Sequence, residues 1–177
     1  MTRLRAFINR FKRDEGGVAA VDFAVVMPLY FVVFLAAFET AMVMTRQVFL
    51  DRGVDMAVRV VRLNTSNPPD YDQLKTMICQ ATAMIENCDT ALKLEMFSQD
   101  PRGTMTFKSR PDCVNRGLEV QPASIYQPGL QNQIMFVRAC VKYEPFFPTA
   151  MIGTAIQDVY GEYALVAMSM YVAEPNG

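Results

Sequence analysis

The sequence predicts an α+β protein, in which a long N-terminal helix precedes a small head with one helix packed on an antiparallel sheet of about four strands. Three observations predict this architecture. An apolar stretch runs from Val18 to Met44, an amphipathic segment follows at residues 70–86, and the remaining chain alternates apolar and polar residues over short segments separated by turns. The 177 residues are enough for one domain of ordinary size and an additional segment.

Charge and composition exclude several classes of function. The chain has 17 basic and 18 acidic residues and no histidine. This near-neutral balance excludes a generally basic nucleic-acid-binding protein, and the missing histidine excludes Ser-His-Asp catalysis, Cys-His catalysis and His-ligated zinc. A Gly-rich phosphate loop and a nucleophile elbow are also missing. We therefore expect no nucleic-acid partner, no metal, no cofactor and no enzymatic activity.

The stretch from Val18 to Met44 is apolar enough to cross a bilayer. Its only charges are Asp22 and Glu39, and the residues from Phe23 to Phe38 carry none, whereas about 20 apolar residues span the hydrocarbon. Residues 1–17 carry five basic and two acidic residues, so the positive-inside rule puts the N-terminus in the cytoplasm and the rest of the chain across the membrane. A cleavable secretory signal would have a shorter apolar core and an Ala-x-Ala site after it, which leaves an uncleaved signal anchor as the main alternative.

The two acids within the apolar stretch need an explanation, because a carboxylate in a membrane helix is costly unless it is paired or protonated. Asp22 lies five residues after Gly17. If the chain were cut after Gly17, Val18 would carry a free amino group, and Asp22 would be available to the amine of a neighbouring subunit. Glu39 lies near the outer end of the span, where its side chain can reach the interface.

The helix is predicted to continue beyond the membrane to about Leu63. Apolar residues recur there at spacings of three and four, and charged residues fill the other face, so one face can dock on a head domain. Turn-forming residues at 64–69 end the helix. The apolar face consists of Leu50, Val54, Ala57, Val58 and Val61.

The head is predicted to begin with a helix over residues 71–86, with Asp70 and Gln73 as its capping pair. Strands are predicted at residues 91–98, 104–108, 134–143 and 159–172, with a short helix after the corner at 145–148. Glu95, Glu144 and Glu162 occur singly on or beside these strands, which is typical of solvated faces.

Four cysteines, Cys79, Cys88, Cys113 and Cys140, lie in the part placed outside the cytoplasm, where an even number predicts two disulfides. A zinc site is disfavoured because no C-x-x-C spacing occurs. Four cysteines allow three connectivities, of which Cys79–Cys88 with Cys113–Cys140 is favoured. The first pair requires that the helix end before Cys88, because nine helical residues separate Cα atoms by about 13 Å, beyond the limit of about 7 Å.

The N-terminal third resembles a known family. A basic leader ending in Gly-Gly, four small or apolar residues, an acid and an aromatic (GGVAAVDF) are similar to the class III signal that prepilin peptidases recognise. The longer segment RFKRDEGGVAAVDFAVVMPLYFVVFLAAFETAMVM resembles the start of TadE/TadG-like minor pilins of the bacterial Flp (Tad) pilus system. The resemblance continues in LDRGVDMAVRVVR, and again in FVRACVKYEPFFP and YALVAMSMYVAEP.

The resemblance implies a leader at residues 1–17, a transmembrane and assembly helix at 18–63 and an exported head at 64–177. By position, it implies that Gly17 ends the leader, Val18 is the mature N-terminus, Asp22 is the acid for subunit docking and Phe23 is the aromatic of the motif. The family usually has Glu where this chain has Asp22, whose side chain is one methylene shorter.

The function implied by the resemblance is that of a minor pilin or pseudopilin, which acts structurally in pilus assembly, priming or capping. The partners it implies are a prepilin peptidase, the major pilin and other minor pilins, the inner-membrane assembly platform and the lipid bilayer. The protein is then a single-pass inner-membrane protein with a periplasmic head, and it can become part of an extracellular pilus. The alternative is a periplasmic binding module held by an uncleaved signal anchor.

Overall fold

The computed structural model describes residues 11–13, 17–64, 66–99, 111–115, 118, 121, 123–127, 129, 132–148, 154–155, 157–158 and 160–173. The elements in chain order are α1 (Val18–Leu63), α2 (Tyr71–Ala81), α3 (Cys88–Ala91), β1 (Leu92–Gln99), β2 (Ile134–Tyr143) and β3 (Tyr163–Val172). The predicted α+β class with a long N-terminal helix is confirmed. The chain divides into two compact units, Met1–Phe38 and Glu39–Gly177.

The first unit contains the apolar part of α1. No side chain along residues 19–38 is buried, and most of the large apolar ones are exposed. The helix continues through Pro28, whose missing N–H is tolerated in membrane helices. By length and composition α1 can cross a membrane. A single N-terminal apolar helix of this kind fits a membrane anchor.

The second unit contains the rest of α1 and the head. The predicted apolar face of α1 is confirmed, because Leu50, Val54, Ala57, Val58 and Val61 are all buried in the core. Leu74 and Ile78 of α2 belong to the same core. Gly53 permits the close approach of α1 and α2, since a Cβ at this position would lie 3.2 Å from the carbonyl oxygen of Ile78.

The sheet is antiparallel with strand order β1-β2-β3. Leu94 and Ala167 flank Ala139 across the three strands, and all three are buried on the face that contributes to the core. The predicted bounds of β2 are confirmed, and β1 begins one residue later than predicted. The prediction of about four strands differs from the described chain, which has three; the strand predicted at 104–108 lies outside the described residues.

The start of β3 was predicted wrongly, at residue 159 instead of Tyr163. The Asp158 carboxylate accepts hydrogen bonds from the backbone N–H groups of Tyr160 and Glu162. Gly161 has a positive φ of 77°, a conformation that glycine adopts without steric cost. These bonds form a turn over residues 158–162, so the strand begins only at Tyr163.

The end of α2 was also predicted wrongly, at residue 86 instead of Ala81. The predicted capping box of Asp70 and Gln73 is confirmed at the start of the helix. At its end, the Thr82 hydroxyl donates to the carbonyl oxygens of Ile78 and Cys79. Residues 82–87 then turn the chain back, so that α3 begins beside the end of α2.

The second face of the sheet is partly covered, contrary to the prediction from its single acids: Glu95 and Arg138 of β1 and β2 are buried on it, whereas Met168 of β3 is exposed. Glu95 is buried and accepts a hydrogen bond of 2.6 Å from Arg138 Nε. Glu162 is buried as well, with Lys142 Nζ 4.0 Å away, whereas Glu144 is exposed. The disulfide between Cys113 and Cys140 holds the segment at 111–115 against this face. The alternating pattern of the strands by itself would leave this face open to solvent.

Candidate assembly and membrane site

Gly17 precedes α1 and is exposed. A Cβ at this position would meet nothing within 4 Å, in contrast to Gly53. Its backbone does not adopt the positive φ found at Gly161. Neither packing nor backbone conformation within the described chain therefore requires glycine at position 17.

The other residues of the predicted motif lie in the first turns of α1. Val18 is the first residue of the helix, and Asp22 and Phe23 are exposed one turn later. Within the ranges that the structure describes, no residue forms a hydrogen bond or ion pair with Asp22. The structure thus places Asp22 and Phe23 at the exposed start of the helix, shortly after Val18, and leaves the Asp22 carboxylate without a partner among the described residues.

Glu39, the second acid of the apolar stretch, has a buried side chain with hydrogen-bond donors from the head. Its side chain is 0% exposed, and its two carboxylate oxygens accept hydrogen bonds from the backbone N–H groups of Phe146 at 3.3 Å and Phe147 at 3.2 Å. A buried carboxylate requires such donors, because burial without them is strongly unfavourable. Glu39 is therefore a structural acid of the head, and it holds the turn that follows β2.

Arg46, two turns further along α1, was not identified from the sequence. Its guanidinium lies 4.3 Å from the centre of the Tyr143 ring and 4.9 Å from that of Phe146, a cation–π arrangement. The Tyr143 ring also packs edge to face with Tyr163. Burial raises the pKa of Tyr143 to about 12, although the nearby guanidinium acts in the opposite direction. Because Arg46 is about 100 residues away from both aromatic residues in the sequence, no local pattern predicts this contact.

The structure joins the cysteines as Cys79–Cys88 and Cys113–Cys140, with Cα atoms 5.6 and 5.2 Å apart. This is the connectivity favoured above. The Cys79–Cys88 bond is possible because α2 ends at Ala81. A helix that continued to Cys88 would place the two Cα atoms too far apart for a disulfide. Among the described residues, no group of three or more acidic or cysteine side chains is arranged to hold a metal ion, and the expected absence of a metal stays a prediction.

Comparison with known proteins bears on the N-terminal helix. The family model for TadE-like proteins matches residues 17–59. No curated protein and no solved structure matches the chain at a significant level. The matched segment begins at Gly17, includes Asp22 and Glu39, and ends in the part of α1 that packs on the head. Over residues 17–59 the chain is therefore similar to TadE-like proteins, and the predicted family resemblance is confirmed for this segment.

Proposed function

We propose that the protein is a minor pilin-like subunit of a Tad-type pilus that acts structurally in assembly, priming or capping. The observation that carries this proposal is the exposed apolar helix that begins at Val18, within the segment similar to TadE-like proteins. We propose no enzymatic activity, because the sequence lacks histidine, a phosphate-binding loop and a nucleophile elbow.

The proposed location is the bacterial inner membrane, with the N-terminus in the cytoplasm and the head in the periplasm. The excess of basic residues before the apolar helix supports this orientation. The two disulfides support it as well, because disulfides persist in the periplasm and are rare in the cytoplasm.

A prepilin peptidase is proposed to remove residues 1–17. Glycine at position 17 is not required by the fold, since an added Cβ has free space and the backbone conformation is open to other residues. We propose instead that glycine is needed at position 17 because the peptidase recognises it and cleaves directly after it. Cleavage there would give Val18 a free amino group at the start of α1.

Assembly is proposed to use the exposed part of α1. Asp22 lies in an apolar helix without a partner in the described chain, and a carboxylate in lipid is costly unless it is paired. The new amino group of a neighbouring subunit would provide that partner. The apolar side chains around it would pack against the helices of the major pilin, of other minor pilins or of the inner-membrane platform.

The experiment is the determination of the mature N-terminus. The full chain is expressed with a prepilin peptidase, and its intact mass and N-terminal peptide are measured. We expect a protein that begins at Val18, and we expect Gly17→Ala to retain residues 1–17 with both disulfides intact. Ala19→Gly, which changes a neighbouring exposed residue, is the matched control and should be cleaved.

An uncleaved leader in the wild-type protein in the presence of an active peptidase would contradict the proposal. It would favour the alternative, a periplasmic binding module held by a signal anchor. Normal cleavage of Gly17→Ala would contradict the role assigned to Gly17.

A further inference from the structure

We propose that the turn at residues 145–148 is a second membrane contact of the protein, in which Phe146 inserts into the lipid–water interface. The inference rests on the membrane anchor of the proposed function, and it adds a lipid-binding surface on the head.

The position of this turn follows from the end of the exposed apolar helix. Residues 19–38 contain no buried side chain, and Glu39 is the first buried residue after them. Twenty helical residues at about 1.5 Å each span about 30 Å, which is the thickness of the hydrocarbon core. The hydrocarbon is therefore expected to end close to Glu39.

Three contacts hold the turn beside Glu39. The backbone N–H groups of Phe146 and Phe147 both donate to the Glu39 carboxylate, at 3.3 and 3.2 Å. The Arg46 guanidinium lies 4.9 Å from the centre of the Phe146 ring. The turn is thus held beside Glu39, the residue near which the hydrocarbon is expected to end.

The chemistry of the turn suits a lipid interface. Phe146 is 51% exposed although it is a large apolar side chain whose backbone is firmly held. The turn itself, residues 145–148, carries no charged residue, and the exposed Glu144 precedes it. Exposed Phe side chains, like those of Trp and Leu, can insert into the boundary between lipid headgroups and acyl chains.

The test uses the absence of tryptophan from this chain. Three single-tryptophan variants of the full chain are prepared, Phe146→Trp, Val172→Trp and Phe31→Trp. Val172 has the same exposure as Phe146, 51%, and lies at the other end of β3, about 30 Å from Tyr163. Phe31, which is 49% exposed, lies within the proposed span. Each variant is reconstituted in phosphatidylcholine–phosphatidylglycerol vesicles whose acyl chains carry bromine, a contact quencher of tryptophan.

We expect quenching of the tryptophan at position 146, with bromine near the headgroups quenching more than bromine deep in the bilayer. The tryptophan at 31 should lose most of its fluorescence, and the one at 172 should keep it. Quenching at 31 without quenching at 146, or equal quenching at 146 and 172, would overturn the inference and leave the anchor intact. No quenching at 31 would instead contradict the membrane anchor itself. If Phe146→Trp fails to form both disulfides, Pro148→Trp, at an exposed position of the same turn, replaces it. Quenching of the tryptophan at 148 would support the inference, and quenching at 31 without quenching at 148 would overturn it.

Discussion

The Glu39 carboxylate accepts a hydrogen bond of 3.2 Å from the backbone N–H of Phe147, which is 108 residues away in the sequence. This bond ties the residue that directly follows the exposed apolar segment to the turn after β2. The two acids of the apolar stretch therefore differ in kind, because Glu39 has hydrogen-bond donors among the described residues and Asp22 has none among them.

Replacement of Glu39 should destabilise the head. Glu39→Ala leaves the part-buried N–H groups of Phe146 and Phe147 without their acceptor, and an unsatisfied group costs up to about 1–3 kcal/mol when it is fully buried. We expect a lower free energy of unfolding for the full chain in detergent, measured by urea denaturation with near-ultraviolet circular dichroism. Asp55→Ala, which removes an exposed acid of α1, is the control and should change stability little. Equal stability of the two variants would contradict the structural role of Glu39.

Removal of only one partner of the Glu95–Arg138 ion pair should lower the free energy of unfolding strongly. Both side chains are buried, and removal of one partner from a buried pair typically costs about 3–5 kcal/mol because the other charge stays unpaired. We expect Glu95→Ala to lose this amount in urea denaturation. The double variant Glu95→Met with Arg138→Leu should recover most of it, since apolar residues of similar size can replace such a pair. A double variant no more stable than Glu95→Ala would show that packing, and not the unpaired charge, causes the loss.

The two disulfides should differ in their contribution to stability. Cys113–Cys140 closes a segment of 27 residues and Cys79–Cys88 one of 9. On the loop-entropy account, the longer loop should contribute about 1 kcal/mol more. We expect Cys113→Ser with Cys140→Ser to lower the midpoint of urea denaturation more than Cys79→Ser with Cys88→Ser. Four free thiols in exported wild-type protein, found by non-reducing peptide mapping, would contradict both bonds.

Asp158 should make stability depend on pH in the acid range. Burial by itself would raise the pKa of Asp158, but hydrogen bonds from Lys142 and from the backbone N–H groups of Glu162 and Tyr160 hold it below the usual value. The ionised carboxylate therefore stabilises the head at pH values above the unfolded pKa of about 3.9, and this stabilisation is lost as the pH falls through the lower folded pKa.

We expect Asp158→Asn to be less stable than the wild type at pH 7, with a difference that shrinks as the pH falls to about 2. Thermal unfolding followed by circular dichroism across this range measures the difference. Asp72→Asn, which alters an exposed acid in the first turn of α2, controls for general effects of charge. A difference that stays constant with pH would contradict the assigned hydrogen bonds.

Local sequence patterns predicted most of the secondary structure. The spacing of Leu50, Val54 and Val61 predicted the face of α1 that is buried, and alternation predicted the bounds of β2. The start of β3 and the end of α2 were predicted less well, because side-chain bonds from Asp158 and Thr82 end the regular backbone while the apolar pattern continues.

The sequence by itself determined the apolar helix, the glycine and acid at its start, and the resemblance to TadE-like proteins, because these depend on residues close together in the chain. Only the tertiary structure decided the environments of Glu39, Arg46 and Glu95. Their partners, Phe147, Tyr143 and Arg138, are separated from them by 108, 97 and 43 residues. The same acid is costly in lipid, solvated on a surface or stabilising in a core according to the donors that folding brings to it, and no pattern of neighbouring residues specifies those donors.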